Sequence, residues 1–372
     1  MTRQRVVIAA GASGGHVYPG LAVGEVLRDR GHDVVFVGGD RLEARVVPEA
    51  GFDFHPLRVR RPPSVRAELL TPRGIAAAVS IARATLTARG LLRRLAPDVV
   101  LGMGGFAAVP VALAAAAGRR PLVLHEQNAH LSAAQRVAVR RARVLALGLP
   151  IAEPLPRVRT ELVGQPVRRR IASLATLDEP ARSAARTSAR DRLGLDGAAP
   201  TLLVSGGSLG SGPLNEFVPG ARLPAGTRVL HIAGTGHEAA VREAWRAAGV
   251  EATVVGFLDA MEDAYLSADV AVSRSGASAV AELALAGVPS ILVPLPTLRR
   301  GDQEANARLL EAAGGATVIV QARRDFADAV GAEVGRILGD EGTRSAMSAA
   351  AQAFARPDAA ERLADVIESV VA

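Results

Sequence analysis

The stretch Arg5-Val6-Val7-Ile8-Ala9-Ala10-Gly11-Ala12-Ser13-Gly14-Gly15-His16 decides the fold. A short apolar run enters a glycine-rich turn, and a helical stretch over residues 22–30 follows. Strand, glycine turn and helix in that order open a βαβ unit. The pattern returns in mid-chain, where the run 201–205 enters Gly206-Gly207-Ser208-Leu209-Gly210. Outward from the first opening, Val/Leu/Ile runs recur at 33–38, 99–102, 122–125 and 144–147, with a helical stretch at 75–95. Outward from the second they recur at 228–233, 252–255, 270–273, 290–293 and 317–320. This alternation predicts an α/β protein of two consecutive units, each a parallel sheet with helices on both faces.

A chain of 372 residues exceeds one ordinary domain. Gly164 and Pro166 interrupt the periodicity and divide the chain into residues 1–163 and 164–356. Residues 357–372 read as a terminal amphipathic helix, and 173–190, rich in Ala, Ser and Arg, as a surface loop or helix. The absence of Cys excludes disulfides and thiolate chemistry. The first apolar run is too short for a signal peptide, and no charge-free stretch of 18 apolar residues occurs, so no membrane span is expected. The net charge is +7 and all 44 basic residues are arginine. Coding bias accounts for that as well as a phosphate-bearing substrate, an anionic membrane surface or nucleic acid does. No nucleic-acid-binding motif supports the last.

Glycines before a helix let backbone N–H groups approach an anion, so Gly11–His16 suits phosphate; the alternative is a plain tight turn. Ser13 stands where a dinucleotide fingerprint needs its second Gly. His16 falls at the sheet edge where ligands bind, and is a candidate general base or a capping histidine. His125-Glu126-Gln127-Asn128 follows an apolar strand and suits sugar recognition or acid–base work, or is a polar loop; Gly102-Met103-Gly104-Gly105-Phe106 shapes the same edge. In the second half, Gly206-Gly207-Ser208 repeats the anion cradle. Arg274-Ser275-Gly276-Ala277-Ser278-Ala279 opens a helix and suits a diphosphate. Ser278 and Glu282 share a helix face, and the carboxylate can accept from both hydroxyls of a ribose; the alternative is a capped helix with a surface Glu. Asp302, Gln303 and Asn306 suit a sugar's hydroxyls. No Asp-x-Asp and no cluster with metal-ligand spacing occurs, so neither a metal nor another cofactor is expected.

Gly11-x-Ser-Gly-Gly-His16-Val17-Tyr18-Pro19-Gly20-Leu21-Ala22, Asp98–Phe106, Leu124–Asn128, Gly164-x-Pro166-Val167-Arg168, Gly206-Gly207-Ser208, Ser273–Ala277 with Glu282, and Gln303-x-x-Asn306-Ala307 keep the order of their counterparts in the MurG family. The chain resembles that family from residue 11 to residue 307. The resemblance implies a GT-B fold, two Rossmann-like domains with an interdomain cleft, the final helix crossing back to the first. It implies inverting transfer of N-acetylglucosamine (GlcNAc) from UDP-GlcNAc to the C4 hydroxyl of N-acetylmuramic acid in undecaprenyl-pyrophosphoryl-MurNAc-pentapeptide (lipid I), giving lipid II for peptidoglycan. Its readings for the donor are Glu282 on the ribose, Leu258 on uracil, Ser208 and Ala277, Ser278 and Ala279 on the diphosphate, and Gln303 on GlcNAc. Arg168, Asn128, Ser13, Gly14 and Gly15 also reach the donor. Gly14, Gly15, His16, Gly104, Gly105 and His125 serve the acceptor, and His16, then Glu126, is the candidate base.

The resemblance further implies a peripheral protein on the cytoplasmic face of the cell membrane, with other wall-synthesis and division proteins as partners. Arg58, Arg60, Arg61, Arg66 and Arg73 around Leu57, Val59, Leu69 and Leu70, and Arg136, Arg140, Arg141 and Arg143, would meet anionic lipid; a solvated basic face is the alternative. Leu209, Phe106, Gln165, Ala12 and Ser13 depart from the usual Gln, Tyr, Asn, Gly and Thr. Other readings are a GT-B transferase with a different lipid or small-molecule acceptor, or a non-catalytic nucleotide-sugar-binding scaffold.

Overall fold

The computed structural model describes residues 3–11, 13–60, 71–151, 153–195, 197, 199–207, 210–296 and 301–371. Ala12, Arg61, Arg66, Leu69, Leu70, Ser208 and Leu209, named above, lie outside them. The chain forms two compact units, one running to Arg168 and completed by the segment from Asp358 onward, the other Arg169–Pro357. The division comes after Arg168 rather than Val163 because the Gly-Pro segment is tied to the first sheet. Gly164 N–H donates to Leu147 O at 3.1 Å, and Gln165 and Val167 are buried.

In the first unit β1 (Arg5–Ala9), β2 (Asp33–Gly38), β3 (Asp53–Pro56), β4 (Val99–Gly102), β5 (Leu122–Glu126), β6 (Val144–Leu147) and β7 (Arg159–Leu162) lie in the order β3-β2-β1-β4-β5-β6-β7. Every pairing is parallel. Successive strand residues point to opposite faces. Val6, Ile8, Phe36 and Leu101 pack with the helices Gly14–Asp29 and Ala359–Ser369. Val7, Val35, Val100 and Leu124 pack with Pro72–Leu95 and Val109–Ala117. Burial on both faces is why these strands read as continuous apolar runs. The two edge strands escaped sequence reading because they are solvated: Asp53–Pro56 ends in a proline, Arg159–Leu162 carries Arg159 and Glu161, and neither strand contains a fully buried residue.

The helix Ala359–Ser369 is bound by more than its apolar stripe of Leu363, Val366 and Ile367. Arg30 pairs with Asp365 at 2.7 Å and Glu368 at 2.9 Å. His32 Nδ1 accepts from Gln4 N–H at 3.2 Å, so its Nε2–H donates to Glu368 at 2.8 Å.

In the second unit β8 (Thr201–Ser205), β9 (Arg228–Ile232), β10 (Ala252–Val255), β11 (Val270–Ser273), β12 (Ser290–Leu292) and β13 (Ala316–Val318) form a parallel sheet in the order β10-β9-β8-β11-β12-β13. Residues 179–193 are a helix, capped by Asp178 and ended by left-handed Gly194. Its docking face is guanidinium, which is why it shows no apolar period. Arg182 donates to Ala286 O and Leu174 O, Arg186 grips Asp269 through two bonds, and buried Arg190 donates to Thr201 Oγ1 and three carbonyls. These sit four residues apart on one face.

His231 is fully buried between two fixed partners. Its Nδ1 accepts from Trp245 Nε1–H at 3.0 Å and its Nε2–H donates to Asn215 Oδ1 at 3.0 Å. Burial pushes the imidazole from 6.5 down to about 4. Between those values the unfolded chain holds a proton that the folded chain refuses, so stability is full above 6.5 and is lost as pH falls towards 4. The loss approaches roughly 3 kcal/mol. Denaturant unfolding followed through Trp245, the single tryptophan, should show a lower midpoint at mildly acid than at neutral pH, and His231→Gln should flatten that dependence.

Candidate active site

In each sheet the chain turns back beside its first strand, so β1 and β4, and likewise β8 and β11, are neighbours whose following segments leave in opposite directions. That switch point opens a crevice at the carboxyl ends of the strands. Sequence-selected residues lie at these edges in both units, and each edge is described by itself.

In the first unit Ser13 is the N-cap of the helix Gly14–Asp29, with extended backbone, and Gly14, Gly15 and His16 form its first turn. Ser13 makes no side-chain cap bond to the helix. Its Oγ lies 2.8 Å from His16 Nδ1 instead. His16 is half-buried, and its ring packs against Gly104 in the turn after β4. Gly104 has φ 91°, and a Cβ there would come within 3.0 Å of His16 Cδ2. Gly105 follows with φ 78°. Desolvation pushes the His16 imidazole down to about 4, so it is neutral at physiological pH.

His125 and Glu126 end β5. His125 is fully buried, its Nε2–H donates to Gly164 O at 3.0 Å, and its Nδ1 has no hydrogen-bond partner. Burial lowers its pKa to about 4, against the opposing Gly164 bond and with help from neighbouring His16. Glu126 is buried, which raises its pKa, while hydrogen bonds oppose the rise. Both its oxygens serve the next loop: Oε1 accepts from Asn128 N–H at 3.1 Å and Nδ2 at 3.3 Å, and Oε2 accepts from Ser132 N–H at 2.8 Å. Buried Gln135 braces both turns by donating to His125 O at 2.7 Å and Gly102 O at 3.5 Å. Arg168 holds its guanidinium 5.2 Å from the centre of the Tyr18 ring.

In the second unit the turn after β8 closes tightly. Gly210 has φ 72°, and a Cβ on it would overlap the Ala233 carbonyl. Gly276 caps the helix Ala277–Ala286 without a side-chain bond, so the N–H groups of Ala277, Ser278 and Ala279 point out of its positive end. Glu282 stands further along this helix, and its Oε2 accepts from Tyr265 O–H at 2.6 Å. Leu258 lies in the loop after β10. Gln303 is in the first turn of the helix Asp302–Ala312, where its Oε1 accepts from Leu295 N–H at 2.9 Å and its carbonyl from Ser275 Oγ–H at 2.8 Å. Asn306, expected beside a sugar, is fully buried and donates to Ser275 O at 3.2 Å, so it ties the helix Asp302–Ala312 to the turn after β11.

Two residues gained their significance only from the structure. Arg274 was quoted in a motif without a role. It is 6% exposed, and its donors reach Ser211 Oγ, the Val293 and Pro294 carbonyls and Gln321 Oε1, all neutral acceptors. Among the described residues no carboxylate pairs with it, and burial lowers its pKa without removing its charge. A fixed cation therefore lies behind the turns after β8 and β11. Its signal in sequence is a basic residue between a buried strand and a Ser-Gly turn. Tyr265 gave no such signal, because an aromatic in an apolar stretch reads as core. Among the described residues no group of three or more His, Asp or Glu is arranged to hold a metal ion.

Residues 6–146 match the model of the glycosyltransferase family 28 N-terminal domain, and 201–363 that of the family 28 C-terminal domain. The UDP-N-acetylglucosamine–N-acetylmuramyl-(pentapeptide) pyrophosphoryl-undecaprenol N-acetylglucosamine transferase of Halorhodospira halophila is 42% identical over 379 residues, covering 100% of this chain and 99% of that protein. The protein of the same name from Clavibacter sepedonicus is 41% identical, covering 98% and 96%. The crystal structure of Acinetobacter baumannii MurG is similar with a TM-score of 0.75 and 26% identity, covering 99% of this chain and 100% of that one. The calicheamicin glycosyltransferase CalG4, at 20% identity and a TM-score of 0.66, shares the fold.

The packing of Gly104 on His16 generates a test. Gly104→Ala combines a left-handed backbone with a 3.0 Å approach to the ring, and should cost about 1–3 kcal/mol. A lowered melting temperature with displaced His16 imidazole NMR signals is expected; unmoved signals would contradict the contact.

Proposed function

The chain belongs to the MurG family of glycosyltransferase family 28, and from that membership we infer that it transfers GlcNAc from UDP-GlcNAc to lipid I, forming lipid II. The observation that carries the reading is full-length identity of about 40% to transferases of that name. The two doubly wound sheets are the GT-B fold of that family. The product is β-linked and the donor α-linked, so the anomeric carbon inverts in one displacement. The acceptor C4 oxygen forms the new bond as the bond to UDP breaks.

We assign the proton transfer to His16. With Nδ1–H donating to Ser13 Oγ, the Nε2 lone pair is the base that takes the C4 hydroxyl proton. A neutral imidazole is ready for this at physiological pH, and substrate diphosphates nearby raise its proton affinity as the reaction needs. Glu126 is the weaker candidate because its oxygens order residues 128–132; we assign it to loop positioning. Gly14, Gly15, Gly104, Gly105 and His125 are assigned to the acceptor.

The departing UDP gains negative charge. The amides of Ala277, Ser278 and Ala279 and the charge of Arg274 behind them favour that charge. Ser208 is assigned to the same diphosphate, Glu282 to the ribose, Leu258 to uracil and Gln303 to GlcNAc. From the first unit, Ser13, Asn128 and Arg168 are assigned to the donor. No metal or other cofactor is assigned.

We place the protein on the cytoplasmic face of the membrane. The helix Pro72–Leu95 is the one described helix long and apolar enough to span, with a window of mean hydropathy 1.3. Its pattern fits lying on a surface better. Ala77, Ala84, Ala88 and Leu92 are buried, while Ile75, Val79 and Leu86 are 55%, 45% and 70% exposed on the opposite face, which carries Arg89 and Arg93. Leu57 is a core residue and takes no part. Exposed Val137 stands beside Arg140 and Arg141.

Three measurements check these readings. With UDP-GlcNAc and a lipid I analogue, His16→Ala should lower kcat by about 10²–10⁴-fold. In the wild type, kcat/KM should hold steady through neutrality and fall on the acid side towards the His16 pKa of about 4, because the protonated ring cannot accept the hydroxyl proton. Replacing Ile75, Val79 and Leu86 together by Ser should release the protein from anionic vesicles without altering its binding of soluble UDP-GlcNAc.

A further inference from the structure

We propose that Tyr265 is a positioning residue that fixes the Glu282 carboxylate for the ribose of the donor; the proposal rests on the assignment of Glu282 made above. Tyr265 is 5% exposed, on the helix Met261–Ser267. Its O–H donates to Glu282 Oε2 at 2.6 Å, the short distance of a charge-assisted bond. Glu282 is only partly buried, on the helix Ala277–Ala286. A glutamate side chain turns about three bonds, and holding it in one rotamer costs entropy that a fixed hydrogen-bond partner offsets. The tyrosine ring, held by burial, brings one donor to one oxygen and thereby sets the plane of the carboxylate. A carboxylate carries about four acceptor positions, so one such bond orients it without exhausting it.

The helix that carries Tyr265 is itself anchored. Arg192 donates to both oxygens of Asp263 at 2.8 and 2.6 Å, and Arg170 pairs with Glu262 at 3.5 Å. The loop holding Leu258 leads directly into this helix. One rigid element thus sets both the loop assigned to the base and the carboxylate assigned to the sugar. Tyr265 is the link that makes recognition of a ribose, rather than of any nucleoside diphosphate, depend on that element.

The test is steady-state kinetics of the full chain with UDP-GlcNAc and with its 2′-deoxyribose counterpart, in wild type, Tyr265→Phe and Glu282→Gln. Phe keeps the buried ring and removes only the hydroxyl. Tyr265→Phe should raise KM for UDP-GlcNAc about tenfold, change kcat by less than about twofold, and shrink the preference for the ribose donor. Glu282→Gln should lose that preference. The preference is a ratio within one preparation, so a fraction of misfolded protein does not alter it. Wild-type KM and preference in Tyr265→Phe, with both disturbed in Glu282→Gln, would reduce Tyr265 to packing. An undisturbed preference in Glu282→Gln would overturn the ribose assignment itself.

Discussion

Each sheet is parallel, and its central strands are covered on both faces, so their side chains are committed to the core everywhere but at the strand ends. At the carboxyl ends the backbone must turn into a helix, and the first amides of that helix have no partner within it. Where strand order reverses, two such turns diverge and leave room between them. The candidate residues therefore gather at the carboxyl ends of the strands, around the β1/β4 and β8/β11 switch points. The glycines there are demanded by close approach: Gly104 yields to an imidazole, and Gly210 to a carbonyl.

The same constraint explains what was legible in the sequence. A strand buried on both sides has to be a run of Val, Leu and Ile, and a turn that crowds its neighbours has to be glycine, so both sheets and both loops were written plainly. The edge strands Asp53–Pro56 and Arg159–Leu162 were not, since neither contains a fully buried residue. The helix 179–193 was half-read because it docks through arginines. His16 and Glu282 are candidates by residue chemistry alone, whereas the surroundings of Glu126 and Asn306 depend on which backbone atoms come near. A side chain that bonds to backbone leaves no pattern in the residue types around it.

Charge follows a consistent logic in the interior. His125 and His231 are kept neutral by burial, and buried arginines are kept charged by carbonyls and hydroxyls. Guanidinium suits this because its delocalised charge tolerates neutral acceptors that would leave an ammonium poorly solvated. A composition with arginine as its sole strong base thus has a structural use beyond any surface potential, since Arg182, Arg186, Arg190 and Arg274 hold loops and helices where a lysine would reach too few acceptors.

The helix Ala359–Ser369 completes the core of the first unit although the entire second unit precedes it in the chain. During synthesis, the apolar face carrying Val17, Leu21 and Leu27 must wait while roughly ten to forty seconds of further translation go by. A nascent chain of this protein therefore carries an open apolar seam in its first half until the last fifteen residues arrive, and that seam is where a chaperone would find something to hold.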